Sequence, residues 1–235
     1  MAAEHEGSGL ASSLTDLMTS LAVIFILLLV AMLNNQRQQA TETRKLVVLR
    51  LQTALEKFKL QGVKVESDPK DPLVLLVIVP EDLLKFDQGK SDIPTAGFNF
   101  LQIFAPKFVS TACSTELRDG ISSIVVEGHA SSEGKPSDNL SLSQRRSMAV
   151  IQQSLAALDS SGEADTTTKE FEGKCFLSLI SATGRGNAEP IYKENGEEDR
   201  PHSRRVVFKI RIKSVEERKE IVEQTGLNRL EQGSH

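Results

Sequence analysis

A single carboxylate, Asp16, stands near the start of the apolar run Leu14–Leu33. About 20 residues at a 1.5 Å rise match a hydrocarbon core of roughly 30 Å, so the run has the length of a transmembrane helix. A carboxylate there costs about 2.5–3.5 kcal/mol at the helix centre and less near the end. Such residues mark ion or proton pathways. At about 100° per residue, Ser12, Ser13, Asp16, Thr19 and Ser20 fall within an arc of roughly 120°, and Val23 and Leu27 continue that face. Small hydroxyl residues let helices approach closely and hydrogen-bond across the contact. The competing reading makes Asp16 an end charge favoured by the helix dipole. Spacing alone leaves both open.

Other chemistries find little support. The two cysteines, Cys113 and Cys175, and the four histidines show no metal-ligand spacing, so no metal site is expected. No nucleophile–base set and no Gly-rich phosphate loop is present, which argues against an enzyme or a bound cofactor. A net charge of −4, no Trp and one Tyr argue against a nucleic-acid partner. No Lys or Arg precedes the apolar run and no A-x-A site follows it, so a cleaved signal peptide is disfavoured. Arg37, Arg44, Lys45 and Arg50 follow the run. Counted alone, these charges put the C-terminal side in the cytoplasm.

The elements that must position any site follow in order. The boundaries are 1–13 before the span, 14–33 the span, 34–61 a helical linker, 62–213 a folded domain and 214–235 a tail. Val63–Glu66 and Leu73–Val79 read as a hairpin about the turn Ser67–Pro72. Thr95–Val109 reads as a helix, Ile121–Glu127 as a strand and Leu142–Leu158 as a long helix. Asp159–Lys174 is polar and reads as a loop. Phe176–Ser181 reads as a strand, Gly184–Ser203 as a long loop, Arg204–Lys213 as the last strand and Glu216–Gln232 as a helix. The order β-α-β-α-β-β is an α+β fold, a mixed sheet with helices on one face.

Two sets of residues resemble known families. Thr15-Asp16-Leu17-Met18-Thr19-Ser20 resembles the A-D-[FL]-M-T/S signature of MotB-type stator subunits. Residues 83–210 resemble the OmpA-like peptidoglycan-binding domain. The matching blocks are Leu84-Lys85-Phe86-Asp87 with Pro94, Val126-Glu127-Gly128-His129, Asn139-x-x-Leu142-Ser143-x-Arg145-Arg146, Gly184-x-Gly186 with Pro190, and Arg204-Arg205-Val206. The linker and TDLMT in place of ADFMT favour the Zorya-type anti-phage branch over the flagellar one. The resemblance implies a single-pass bacterial inner-membrane protein with a cytoplasmic N-terminus and a periplasmic domain, against the count of basic residues.

The resemblance also implies the site residues. Asp16 carries a proton or a sodium ion, with Thr19 and Ser20 as candidates for contacting it. Two copies of the chain, a homodimer, stand inside five MotA/ZorA-like membrane subunits, and the ion flow drives rotation against the anchored wall. The alternatives are a flagellar stator subunit and a passive wall anchor. The family grips the diaminopimelate of peptidoglycan with an Asp after Gly-His-Thr and an Arg in Leu-Ser-x-x-Arg. Arg146 keeps that Arg, whose planar fork suits a carboxylate. Ser131 stands where the Asp is expected, and Glu133 is the candidate substitute. Asn139, Phe86 and Asp87 are candidates for lining the pocket. His129 reads as a structural strand-end residue. Cys113 and Cys175 each precede an expected strand; in an oxidising periplasm they are expected to bond, the alternative being two separate buried thiols.

Overall fold

The computed structural model describes residues 5–160, 162, 165–214 and 217; the side chains of residues 5–13, 15 and 36–44 lie outside the described set. The chain divides into two units, Met1–Thr43 and Arg44–His235.

The first unit is helical. It belongs to α1, His5–Ala54, and its stretch Asp16–Asn35 is long and apolar enough to cross a membrane. Every side chain in that stretch is exposed, which for Leu, Ile, Val and Phe demands an apolar surrounding. Ser12, Ser13 and Thr15, part of the expected polar face or motif, have side chains outside the described set.

The second unit opens at Arg44 rather than at the expected Gly62. The reason is a stripe of apolar residues. Val47 and Leu51 from the end of α1, Leu55 at the N-cap of α2 (Glu56–Lys59) and Phe58 within α2 are buried in the core. A hairpin follows: β1, Lys64–Ser67, pairs antiparallel with β2, Val74–Pro80. A short α3, Glu81–Leu84, leads to α4, Thr95–Ala112. Then come β3 (Ile121–His129), α5 (Pro136–Ser160), α6 (Thr166–Leu179), β4 (Ile180–Gly186), α7 (Arg200–Ser203) and β5 (Arg205–Ile212). The sheet order is β1-β2-β5-β3-β4, antiparallel except for the β3–β4 pair. The fold is a mixed α+β sandwich with an N-terminal apolar helix.

The core lies between this sheet and the helices. Along α4, Phe100, Phe104 and Phe108 recur every four residues and stack on one another. They meet Phe58, Phe176 and Phe208 from three other elements. α5 crosses β3 and β4 so closely that glycine is required there. A Cβ on Gly128 would lie 2.2 Å from the Ser143 carbonyl oxygen, and one on Gly184 would lie 2.6 Å from the Gln144 nitrogen.

Three expectations are corrected. Asp159–Lys174 is not a loop: α5 runs to Ser160 and α6 begins at Thr166. Asp165 caps α6 by accepting from the Thr168 backbone N–H at 3.0 Å. Phe176–Leu179 is the end of that helix, and the strand begins only at Ile180. Cys113, at the C-cap of α4, is bonded to Cys175 within α6, with Cα atoms 6.0 Å apart. The bond staples two helices, not two strand ends. Ser214 and Glu217 exchange hydrogen bonds in a capping box. The rest of the expected helix Glu216–Gln232 lies outside the described residues.

Candidate functional site

An open cleft of about 570 Å³ lies beside the C-terminal end of β3 and the first turns of α5. Just before its wall, Lys85, the C-cap of α3, adopts a left-handed conformation (φ 51°). That turn brings Phe86 into the wall. The Arg146 guanidinium lies over the Phe86 ring, 4.7 Å from its centroid. Arg146 is buried, and three of its nitrogens are engaged. Nε donates to the Lys90 carbonyl at 2.9 Å, Nη2 to the Asp87 carbonyl at 3.1 Å and Nη1 to Glu81 Oε1 at 3.2 Å. The rigid fork of an Arg suits this three-way anchorage of the loop 86–90.

Glu81 also accepts from Arg204 Nε. It therefore couples α3 to α5 and to the approach to β5. On the opposite wall Asn139 Nδ2 donates to the Ser131 carbonyl at 3.1 Å and to the Glu133 carbonyl at 2.8 Å. Asn139 thereby fixes the turn after β3 with its amide. The Glu133 carboxylate lies 2.8 Å from Arg200 and 3.9 Å from Arg204. Glu81, Arg200 and Arg204 were not singled out in sequence as site residues. A signal existed for one of them: a buried guanidinium such as Arg146 requires a nearby carboxylate.

Beyond the cleft, a second polar cluster is buried under the segment between β4 and β5. Glu127, His129 and Glu189 bring ligand atoms within 4.8 Å of one another. Among the described residues neither ring nitrogen of His129 has a hydrogen-bond partner, and its Nε2 is 3.5 Å from Glu127 Oε2. The donor types suit a cation, but the positions are already served. Lys209 Nζ lies 2.9 Å from Glu127, and Arg185 and Lys70 pair with Glu189 at 2.9 and 3.5 Å. A further cation would meet these positive charges. Burial pushes the His129 pKa down, more strongly than Glu127 pulls it up. Burial pushes Glu127 up, but His129 and Lys209 together outweigh it and hold the carboxyl below its usual range. Arg205 Nη1 donates to the Glu189 and Ser203 carbonyls at 3.2 and 3.1 Å, tying the covering segment to the last strand.

In the first unit, Asp16, Thr19 and Ser20 are exposed on α1. Thr19 Oγ1 donates to the Asp16 carbonyl at 2.9 Å, a local back-bond that does not involve the Asp16 carboxylate.

No family model matches the chain. Over 212 residues it is 23% identical to the Zorya protein ZorB of Escherichia coli, covering 84% of this chain and 86% of that protein. A MotB-like protein from Desulfovibrio vulgaris has the same fold, with a TM-score of 0.51 and 20% identity, over 76% of this chain and 99% of that one. The chain is similar to ZorB over most of its length and has a MotB-like fold. The cell wall anchor of the type VI secretion system from Pseudomonas aeruginosa aligns with a TM-score of 0.45 and 20% identity, over 69% of this chain and 97% of that one.

Within this MotB-like fold the residues named from sequence separate into groups. Phe86, Ser131, Glu133, Asn139 and Arg146 line the one cleft. Asp87 is not among its lining residues; its carbonyl holds Arg146 and its carboxylate pairs with Lys90 at 3.0 Å. Asp16, Thr19 and Ser20 belong to the other unit.

Proposed function

We propose that the chain is the ion-conducting, wall-anchored subunit of a rotary membrane motor driven by the proton-motive force, acting in anti-phage defence. The observation that carries this reading is one combination: an apolar helix bearing Asp16 near its start, followed by a MotB-like domain. The similarity to ZorB supports the defence assignment. The disulfide between Cys113 and Cys175 supports a periplasmic domain, because such bonds persist in oxidising compartments. In this reading the N-terminus is cytoplasmic and the helix crosses the inner membrane.

Asp16 takes up a proton, or a sodium ion, from one side and releases it to the other. Each charge crossing the membrane is worth about 2.3 kcal/mol per 100 mV. MotA/ZorA-like membrane subunits, five around two copies of this chain, convert that energy to rotation. Thr19 and Ser20 stand on the same face as Asp16 to contact the ion. The cleft binds peptidoglycan and holds the helix pair against the torque.

The test is phage protection by cells carrying the whole system, with Asp16→Asn compared with the natural chain. Loss of protection with unchanged recovery of the membrane complex supports ion carriage. Full protection by Asp16→Asn would leave a passive wall anchor as the better reading.

A further inference from the structure

We propose that Asn195 is a self-modifying site: the Gly196 backbone nitrogen attacks the Asn195 side-chain amide, and the β-linked aspartate that results loosens Glu198 from the turn that bounds the cleft. The proposal does not depend on what the cleft binds.

Of the asparagines in the chain, Asn195 alone is followed by glycine. The two residues sit in a turn on the segment between β4 and β5. Gly196 N–H donates to the Lys193 carbonyl at 3.0 Å and Lys193 N–H to the Glu197 carbonyl at 2.8 Å, and Tyr192 and Glu198 form a single antiparallel bridge beside them. Asn195, Gly196 and Glu197 are exposed. A side chain at Gly196 would meet nothing within 4 Å, so no packing demands the glycine; its φ of 82° does. An exposed tip closed by one bridge belongs to the part of a fold that opens locally at low cost. Opening frees the Gly196 nitrogen from the Lys193 carbonyl.

Glu197 prepares the amide for attack. Its backbone N–H donates to Asn195 Oδ1 at 3.1 Å, and its carboxylate accepts from Asn195 Nδ2 at 3.0 Å. The first contact puts a donor on the oxygen that gains negative charge as the carbon is attacked. The Gly196 nitrogen bonds to Asn195 Cγ and gives up its proton. The Cγ–Nδ2 bond breaks, the leaving nitrogen takes up a proton, and ammonia departs. Water then opens the five-membered imide. Cleavage of its Cγ–N bond gives ordinary aspartate. Cleavage at the main-chain carbonyl carbon leaves the backbone running through Cβ and Cγ, one methylene longer.

That methylene enters a segment with a fixed span. Three residues on, the Glu198 carboxylate accepts from the Ser132 backbone N–H at 3.0 and 3.2 Å and from the Ser132 hydroxyl. The Glu198 side chain is mostly withdrawn from water. Ser132 follows Ser131, which lines the cleft. Lengthening the chain between Tyr192 and Glu198 leaves their bridge and the Ser132 contact unable to keep their geometry together.

The experiment ages the purified full chain in detergent at mildly alkaline pH. Mass spectrometry follows the peptide carrying Asn195, and an isoaspartyl methyltransferase counts the β-linked form. Hydrogen exchange at the Ser132 amide is measured on the same samples. The peptide is expected to gain one mass unit and to accept methyl groups. Asn99, exposed but within α4 and followed by Phe100, is expected to stay unchanged. Gly196→Ala is expected to slow the gain severalfold. Ser132 exchange is expected to accelerate in the aged natural chain and to stay slow in Asn195→Asp, which adds the charge without lengthening the backbone. An Asn195 that gains no mass, or gains it no faster than Asn99, would overturn the site. Ser132 protection kept in the β-linked form, or lost equally in Asn195→Asp, would overturn the coupling to Glu198.

Discussion

Arg146 Nη1 donates to Glu81 Oε1 at 3.2 Å, and both side chains are withdrawn from water. The pair joins a residue of the long helix α5 to one at the start of α3, and two carbonyls of the loop 86–90 complete the anchorage. Removing Arg146 leaves Glu81 with Arg204 as its remaining cationic partner and leaves the Lys90 and Asp87 carbonyls without their donor. Arg146→Ala is therefore predicted to destabilise the domain by roughly 3 kcal/mol, measured by urea unfolding. Arg146→Lys is predicted to recover only part of that, because an ammonium cannot reach three acceptors in fork geometry. Unchanged stability in Arg146→Ala would show that the internal contacts are dispensable.

The Cys113–Cys175 bond closes a loop across a sequence separation of 62. In the chain-entropy model that constraint contributes roughly 4 kcal/mol. The double variant Cys113→Ala, Cys175→Ala is predicted to lose stability of that order in denaturant unfolding. The natural chain is predicted to run faster on a gel without reductant than with it. Equal mobility in both conditions would contradict the bond.

Acid acts on the Glu127–His129 cluster. The folded pKa of His129 lies below its ordinary value of 6.5, so the unfolded chain binds the proton more readily. Stability then falls as pH drops below about 6.5, until the folded His129 also protonates. Glu127 is held below its ordinary 4.5, so its contribution is present above that pH and is lost as pH falls through the folded value. Unfolding measured between pH 7 and pH 5 is predicted to show a decline that His129→Gln reduces. A pH-independent natural chain over that interval would contradict the burial of a neutral His129.

Lys85 holds a left-handed backbone at the α3 C-cap, where an L side chain is disfavoured. Lys85→Gly removes that penalty at an exposed position, offset in part by the greater freedom of glycine when unfolded. The predicted gain is about 0.5–1 kcal/mol, read as a higher denaturant midpoint.

The parts of the fold legible in sequence were those with one clear period. The Leu73–Val79 run and Ile121–Glu127 lie in β2 and β3, where alternation and β-branched residues agree. Asp165, three threonines and several charges give the start of α6 the composition of a loop. Its apolar residues Phe171, Cys175, Phe176 and Leu179 nonetheless recur at helical spacing, and Asp165 is a capping residue. The cleft was legible as a set of residue types, and Phe86, Ser131, Glu133, Asn139 and Arg146 do meet. Their pairing was not. Whether Glu133 is paired depends on where Arg200 and Arg204 arrive from, which only the three-dimensional path of β5 and α7 decides.

The central claim is that Asp16 carries the ion. The measurement closest to it is ion flux through vesicles containing this chain and its membrane partners, with the natural chain beside Asp16→Asn. The account predicts flux under an imposed proton or sodium gradient in the natural complex, and its loss in Asp16→Asn with the complex still assembled. Equal flux in the two would contradict it.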